Sequence, residues 1–536
     1  MHCWKGLRAF CASGIMLFWM AIPVLAAEPT VVLSLKSLDE LLDDADFLGE
    51  AVGQPGLKAQ AETTIDALTG GADGIDRERP LGFYWKMIDS GPNNLGNLVV
   101  FLPISDEDNF EKLVRKFLPD LQVEDDKWSI TLPGMPRLHA TFANEYFFVS
   151  NSPEELSDLA EVEKIASAEQ DISVEINLSS IPKQAKELYL AIVEQGARQQ
   201  MANDPQPANE AEARGRELGA EWTLGALKAI TNEGNRLNFT VDVDSETRMA
   251  TVDFGLTGTP NTSLAKALTS YGKTTSAFAA IAAEDAPLHL LISLPTTGVL
   301  DKMDDLFAAI GSSANTAIDK DETLKDDADR KAARDVANRL IAIVKATVKS
   351  GAVHSVLILE QGDGDTARIV GGTKVAKGDD AGKLWDDILK LSKESPDLAK
   401  VKSDVAKHAG ARIHAITTDA DEKQTALFGN DPTHLAIRAD SLWLSLGGGN
   451  LEGLKKALDL SGKKAAKPQA PISLRLKPAS LVTVMEKTDQ ELLKRAKALA
   501  GEPGDVLNLE ILPTDGAGIK MQLEFGVDFF NLFGGN

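Results

Sequence analysis

Apolar residues recur along this chain with two spacings, a period of two and a period near 3.6, and each marks a different kind of element. Val31-Val32-Leu33-Ser34-Leu35 predicts a strand. Leu38, Leu41, Leu42, Ala45, Leu48 and Val52 then recur at helical spacing, behind a Ser37/Glu40 pair placed as a capping box. Leu81 to Ile88 and Asn97 to Leu102 flank the turn Ser90-Gly91-Pro92-Asn93-Asn94 and predict a hairpin. A helix after Ser105 carries Phe110, Leu113, Val114 and Phe117. Glu145 to Val149 predicts a strand that runs into a helix capped by Ser152, with Pro153 in its first position and Glu155 completing a box. Leu237, Phe239, Val241 and Val243 alternate with polar residues, and Ala250, Val252, Phe254 and Leu256 return. Such alternation describes an antiparallel pair that is wet on one face.

The same order of patterns runs again in the second half. Leu290-Leu291-Ile292-Ser293-Leu294 precedes a helical stripe of Leu300, Met303, Phe307 and Ile310. Val353 to Leu359 turns through Gly362-Asp363-Gly364 into Ala367 to Gly371, and a helix with Leu384, Trp385, Ile388 and Leu389 follows. Ser441-Leu442-Trp443-Leu444-Ser445 leads through Gly447-Gly448-Gly449-Asn450 into the stripe Leu451, Leu454 and Leu458. Ile172-Ser173-Val174-Glu175-Ile176, with Ser180-Ile181 after it, pairs with Ile472-Ser473-Leu474-Arg475-Leu476 and Ser480-Leu481. A hairpin closes each half, the second through Leu507, Leu509 and Ile511 and then Ile519, Met521, Leu523, Phe525 and Val527.

These patterns predict an α+β fold of two tandem related modules, each an antiparallel sheet with helices packed on one face. The expected boundaries are a signal peptide at 1–27, a first module at 28–258, a connecting helix at 259–286 and a second module at 287–536. Met201 to Gly219 is polar, holds two prolines and reads as an exposed loop and helix. Asp319 to Ser350 mixes charges with Leu340, Ile341, Ile343 and Val344 and reads as a long surface helix. The length, 536 residues, suits more than one core.

The amino terminus adds a compartment. Lys5 and Arg8 precede an uncharged stretch from Ala9 to Ile22, and Val24-Leu25-Ala26-Ala27 ends it with small residues before Glu28. This is the layout of a secretory signal cleaved after Ala26 or Ala27, and the run is short for a membrane span. The expectation is a secreted or periplasmic protein that meets a membrane only through that segment if it stays uncleaved. Both cysteines, Cys3 and Cys11, fall inside the signal, so the exported chain relies on core burial rather than on disulfides. The formal net charge is −24, and the signal holds basic residues but no acid, so cleavage makes the chain still more negative. Such a surface repels nucleic acid and anionic headgroups.

Candidate chemistry is sparse. Asp363 with Asp365, and Asp419 with Asp421, place carboxylates at alternate positions as a hard cation wants. Lys374, however, stands where a calcium loop beginning at Asp363 would put its bidentate Glu, and Asp and Gly are also ordinary turn residues. No histidine pair has the i, i+4 spacing of a helical metal site. Five histidines fall in or beside strand patterns, and His408 falls in a loop-like stretch. Gly447-Gly448-Gly449 before a helix could offer N–H groups to an anion, but the matching Asn151 to Glu155 segment would repel one. Gly272-Lys273-Thr274 lacks the first glycine of a P-loop, where Ala267 stands, and Ser270 to Lys273 has Ser-Lys spacing without its companion motifs. No cofactor is called for. At the carboxyl end, Phe529, Phe530 and Phe533 either pack back on the second module or dock a partner.

The Ser37-Leu38-Asp39-Glu40-Leu41 opening and the Asn151-Ser152-Pro153-Glu154-Glu155-Leu156 strand exit resemble duplicated, secreted bacterial proteins of planctomycete type. Those families have no established activity, so the resemblance implies none for any residue here. The leading expectation is a non-enzymatic extracytoplasmic binding or structural protein, meeting a protein or envelope component. The alternatives are a periplasmic carrier of an apolar ligand and a hydrolase assembled from scattered carboxylates.

Overall fold

The structure, a computed structural model, describes residues 28–529 except 52, 70, 72, 88–95, 118–120, 125–126, 132–136, 158, 160–161, 167–168, 204–205, 208, 283–285, 297–299, 322–323, 325, 365, 393–399, 418–420, 464–469, 485–489, 500–503 and 515. The fold is α+β, and within each unit the strand pairings among the described residues are antiparallel. Two compact units divide the chain. One holds the residues up to Asn203 and Ala226–Ala265, and the other holds Asp204–Gly225 and the chain from Lys266 onward.

The first unit opens with β1 (Val31–Leu35), α1 (Leu38–Ala51), α2 (Leu57–Thr69), β2 (Leu81–Lys86), β3 (Asn97–Pro103) and α3 (Glu107–Phe117). Then come β4 (Gln122–Glu124), β5 (Lys127–Ile130), β6 (Leu138–Ala143), β7 (Tyr146–Ser150), α4 (Val162–Ile165) and β8 (Ile172–Asn177). A 3-10 turn at Leu178–Ser180 precedes α5 (Lys183–Asn203). The last turns of α6 (Glu210–Glu233) run directly into β9 (Gly234–Asp244), which folds back as β10 (Met249–Gly258). The strands lie in the order β10-β9-β8-β1-β2-β3-β7-β6-β5-β4. The amino-terminal strand is thus central, with Leu33 between Phe83 and Val174.

Strand β7 is buried on both faces, which is why Tyr146 to Val149 reads as a continuous apolar run rather than as an alternation. Phe148 faces a cluster with Tyr84, Val99 and Phe101. Phe147 faces another with Trp128 and Phe110, their ring centroids 5.0 and 4.9 Å from its own. Helix α1 starts where the capping residues place it, with Glu40 N donating to Ser37 Oγ at 3.0 Å. The helix expected after β7 does not form; residues 153–156 are turns. Ser152 Oγ donates to the Glu154 carboxylate at 2.6 Å instead of capping. Glu155 is drawn away to Lys86 Nζ at 2.6 Å and Asn97 Nδ2 at 2.9 Å.

The second unit begins with α7 (Ser263–Gly272), α8 (Ala279–Ala282), β11 (Leu288–Pro295), α9 (Leu300–Lys320), α10 (Asp327–Val348), β12 (Ala352–Gln361) and β13 (Ala367–Lys374). It continues with α11 (Gly378–Ser392), β14 (Val401–His408), β15 (Ala411–Ile416), α12 (Glu422–Phe428), β16 (Thr433–Arg438), β17 (Ser441–Gly447) and α13 (Asn450–Leu460). It ends with β18 (Ile472–Leu476), α14 (Pro478–Val484), α15 (Gln490–Leu499), β19 (Leu507–Thr514) and β20 (Gly518–Gly526). Here the order is β20-β19-β18-β11-β12-β13-β17-β16-β15-β14. Within 259–286 the expected single helix is two: α7 stops at Gly272, where a Cβ would sit 2.7 Å from the Pro513 ring, and the chain re-enters a helix only at Ala279. The break lets Phe278 turn inward, where it is fully buried 5.1 Å from the Trp443 ring. Gly372 makes room for that indole, since a Cβ there would sit 2.4 Å from its ring. Among the described residues no helix is long and apolar enough to cross a membrane.

Candidate functional site

The site with the clearest capacity to hold a molecule is an apolar cavity of about 270 Å³ in the first unit. Its floor is the sheet, where Ile176 of β8 lies opposite Leu237 of β9, and Phe254 of β10, opposite Phe239, sits one pair further along the same face. One wall is α5. Ala185, Leu188, Tyr189 and Ile192 follow the i, i+3, i+4, i+7 spacing that gathers side chains on one helical face. Leu227, Ile230 and Thr231 of α6 form the facing wall, tied to α5 by Lys228 Nζ to Glu194 at 2.5 Å. Met87, Leu178 and Ile181 close the bottom as a small buried cluster. The mouth is not covered: Leu188 remains 47% exposed, Ile192 38% and Phe254 41%.

One cation stands among the lining residues. Lys186 is half-buried beside Ala185, and its removal from water among apolar groups pushes its ammonium below the ordinary lysine range. No acidic residue lines the cavity among the described residues, and no ion pair to Lys186 is present among them. The volume lies just below the range of ligand pockets, which run from roughly 300 to 1,000 Å³.

A second cluster is electrostatic. Asp171, just before β8, is buried and accepts from Val243 N at 2.6 Å and Lys36 Nζ at 3.2 Å. Asp44 of α1 is buried beside it, with Oδ2 enclosed and receiving no hydrogen bond. Burial first, and the nearby Asp171 and Glu40 charges after it, raise the Asp44 carboxyl to about 7. A proton held there gives Asp44 a donor toward Asp171. Lys36 is held above its usual range by its hydrogen bond to Glu40, against desolvation. Asp242 is raised by burial and by Asp171. Paired carboxylates can serve as acid and base, but these two are 7% and 3% exposed, sealed from any substrate.

The residues singled out in the sequence go elsewhere. Asp363 sits in the turn between β12 and β13, where its backbone N donates to Gly448 O at 3.2 Å and its carbonyl accepts from Thr366 Oγ1 at 2.8 Å. Asp421 caps α12, accepting from Gln424 N at 2.7 Å. Asp365 and Asp419 lie outside the described residues. Among the described residues no group of three or more His, Cys, Asp or Glu is arranged to hold a metal ion. The glycine turn before α13 is already engaged, since Gly449 N donates to Asp431 Oδ2 at 2.9 Å. Beyond it, buried Asn450 meets His434 Nδ1 and donates to Pro432 O at 2.9 Å. His408 closes β14 rather than a loop, with Nε2 2.9 Å from Asp459. Phe529 packs against the buried cluster of Ala479, Val482, Leu493, Ala496 and Leu499, whereas Phe530 and Phe533 lie outside the described residues.

No family model matches this chain, and neither does any curated protein or solved structure. Function therefore has to be argued from the cavity. The expectations drawn from sequence include no element between Pro182 and Asn203, where one wall of the cavity lies. The stripe from Ala185 to Ile192 is the signal that could have found it.

Proposed function

We propose that this chain is an extracytoplasmic binding protein, not an enzyme, and that it carries an apolar ligand in the cavity of its first unit. One observation carries the reading: two amphipathic helices stand over an apolar sheet face without filling the space between them and it. Burying apolar surface of a ligand there is worth about 25 cal/mol per Å² removed from water, which is enough for useful affinity from a modest contact area. The acid pair at Asp44 and Asp171 gives a hydrolase reading no support, because substrate has no way to reach it.

The proposal includes an internal duplication, with helices packed on one face of each sheet. Among the described residues each unit strings ten paired strands, and the order by position along the chain is the same in both. Two helices separate the eighth and ninth strands of each, α5 and α6 in one and α14 and α15 in the other. In the second unit this pair closes on itself, with Ala479 and Ala496 fully buried. The carrier reading is made for the first unit.

The test is native mass spectrometry of the gently purified protein, with displacement of an apolar fluorescent dye alongside. A co-purified small mass released on unfolding, and a dye displaced by alkyl compounds, are the expected results. An apo mass together with no dye binding would sink the reading. Export is checked separately by the amino-terminal sequence of the product, expected to start at Ala27 or Glu28.

A further inference from the structure

The cavity is apolar at its floor and walls but carries one unmatched cation. Lys186 follows Ala185, the first residue of the α5 stripe, so its charge lies at one end of a wall that runs two turns, roughly 10 Å, to Ile192. The chain as a whole is strongly acidic, and the neighbouring Lys183 pairs with Glu187 at 3.6 Å and Lys228 with Glu194. Lys186 alone among these has no carboxylate within reach among the described residues. A half-buried ammonium without a partner is a liability unless something supplies the counter-charge. A ligand that brings one anionic group and an alkyl chain answers both halves of the cavity. A single ammonium, a compact point charge, suits a monoanion.

The corresponding helix pair of the second unit packs differently. There the helix pair between β18 and β19 fills its own interior with Ala479, Val482, Leu493, Ala496 and Leu499. In the first unit the cavity is open and, among the described residues, Lys186 has no ion-pair partner.

We propose that the ligand is a single-chain amphiphile ending in a carboxylate, with its chain along the Ala185 to Ile192 wall and its head on Lys186 Nζ. This rests on the carrier reading above and deepens it. Decanoate and decanol, equal in chain and different in charge, are the probes, titrated against the purified full chain by calorimetry or dye displacement. Decanoate is expected to bind about tenfold more tightly, since a charge-assisted hydrogen bond in a half-buried site contributes on that scale. In Lys186→Met the ratio of decanoate to decanol affinity falls to about one, and in Lys186→Arg the preference survives. Retention of the urea midpoint in both variants shows that they fold.

Equal binding of the two probes by the unaltered protein overturns the head-group assignment and leaves the apolar carrier standing. So does a preference for decanoate that persists in Lys186→Met. If neither probe binds, the carrier reading falls and takes the assignment with it.

Discussion

At the scale of single residues, Asp44 has the largest consequence. It sits in the α1 stripe where a hydrophobic residue is the rule, buried against Asp171, which lies far along the chain. A free aspartate titrates near 4, whereas this one is raised to about 7, so the folded unit binds a proton that the unfolded chain has released. The stabilisation is complete below about pH 4 and is lost as pH climbs through about 7, amounting to on the order of a few kcal/mol. Asp44→Asn keeps the shape and supplies a permanent donor toward Asp171. We expect it to raise the urea midpoint near pH 8 and to remove most of the slope between pH 5 and pH 8. A wild-type slope left intact in the variant would show that the proton sits elsewhere. None of this was legible in the sequence: a single aspartate in an apolar stripe reads as a solvated edge, and its partner is visible only after β1 and β8 pair.

At the scale of elements, the helix pairs after β8 and β18 invite a matched experiment. Ala185 lines an open cavity, whereas Ala496 is fully buried in a closed cluster. Adding three carbons at Ala496 forces its neighbours off their rotamers, and Ala496→Leu should cost about 1–3 kcal/mol in chemical unfolding. Ala185→Leu adds the same volume to empty space, so its unfolding should move by less than about 0.5 kcal/mol while dye binding drops several-fold. Equal destabilisation at both positions would mean that the first cavity is ordinary packing. The strands were the legible part of this architecture. Their period-two alternation predicts both closing hairpins, because one wetted face imposes the pattern directly. In the Ser441 to Ser445 strand the polarity is inverted, with Ser441, Trp443 and Ser445 buried and Leu444 exposed. The helix after β7 was misread because Ser152, Pro153 and Glu155 fit a capping rule locally. Lys86 and Asn97, distant in sequence, took Glu155 away. The cavity stayed hidden for a related reason: a helical face announces which residues gather, not whether anything fills the space they enclose.

For the whole molecule, the two units should respond to pH in opposite senses. The second unit buries His289, which is 4% exposed with Nδ1 lacking a partner, and burial, helped by Arg475, lowers it to about 4. Burial also lowers His354 and His414 in the same unit. A histidine titrates near 6.5 when unfolded, so these groups contribute stability above that value and lose it as pH falls below it, His289 as pH falls through about 4. The first unit gains over the same interval, because Asp44 takes up its proton. Scanning calorimetry from about pH 8 to about pH 5 should therefore raise one transition and lower the other. Each kcal/mol corresponds to about 2–4 °C for units of this size. The variants assign the peaks: Asp44→Asn should flatten the rising transition and His289→Gln the falling one. Two transitions moving together would show that other carboxylates govern both units. A divergence would mean that mild acid tightens the unit with the cavity while loosening its neighbour, so ligand retention and the stability of the second unit can be tuned separately.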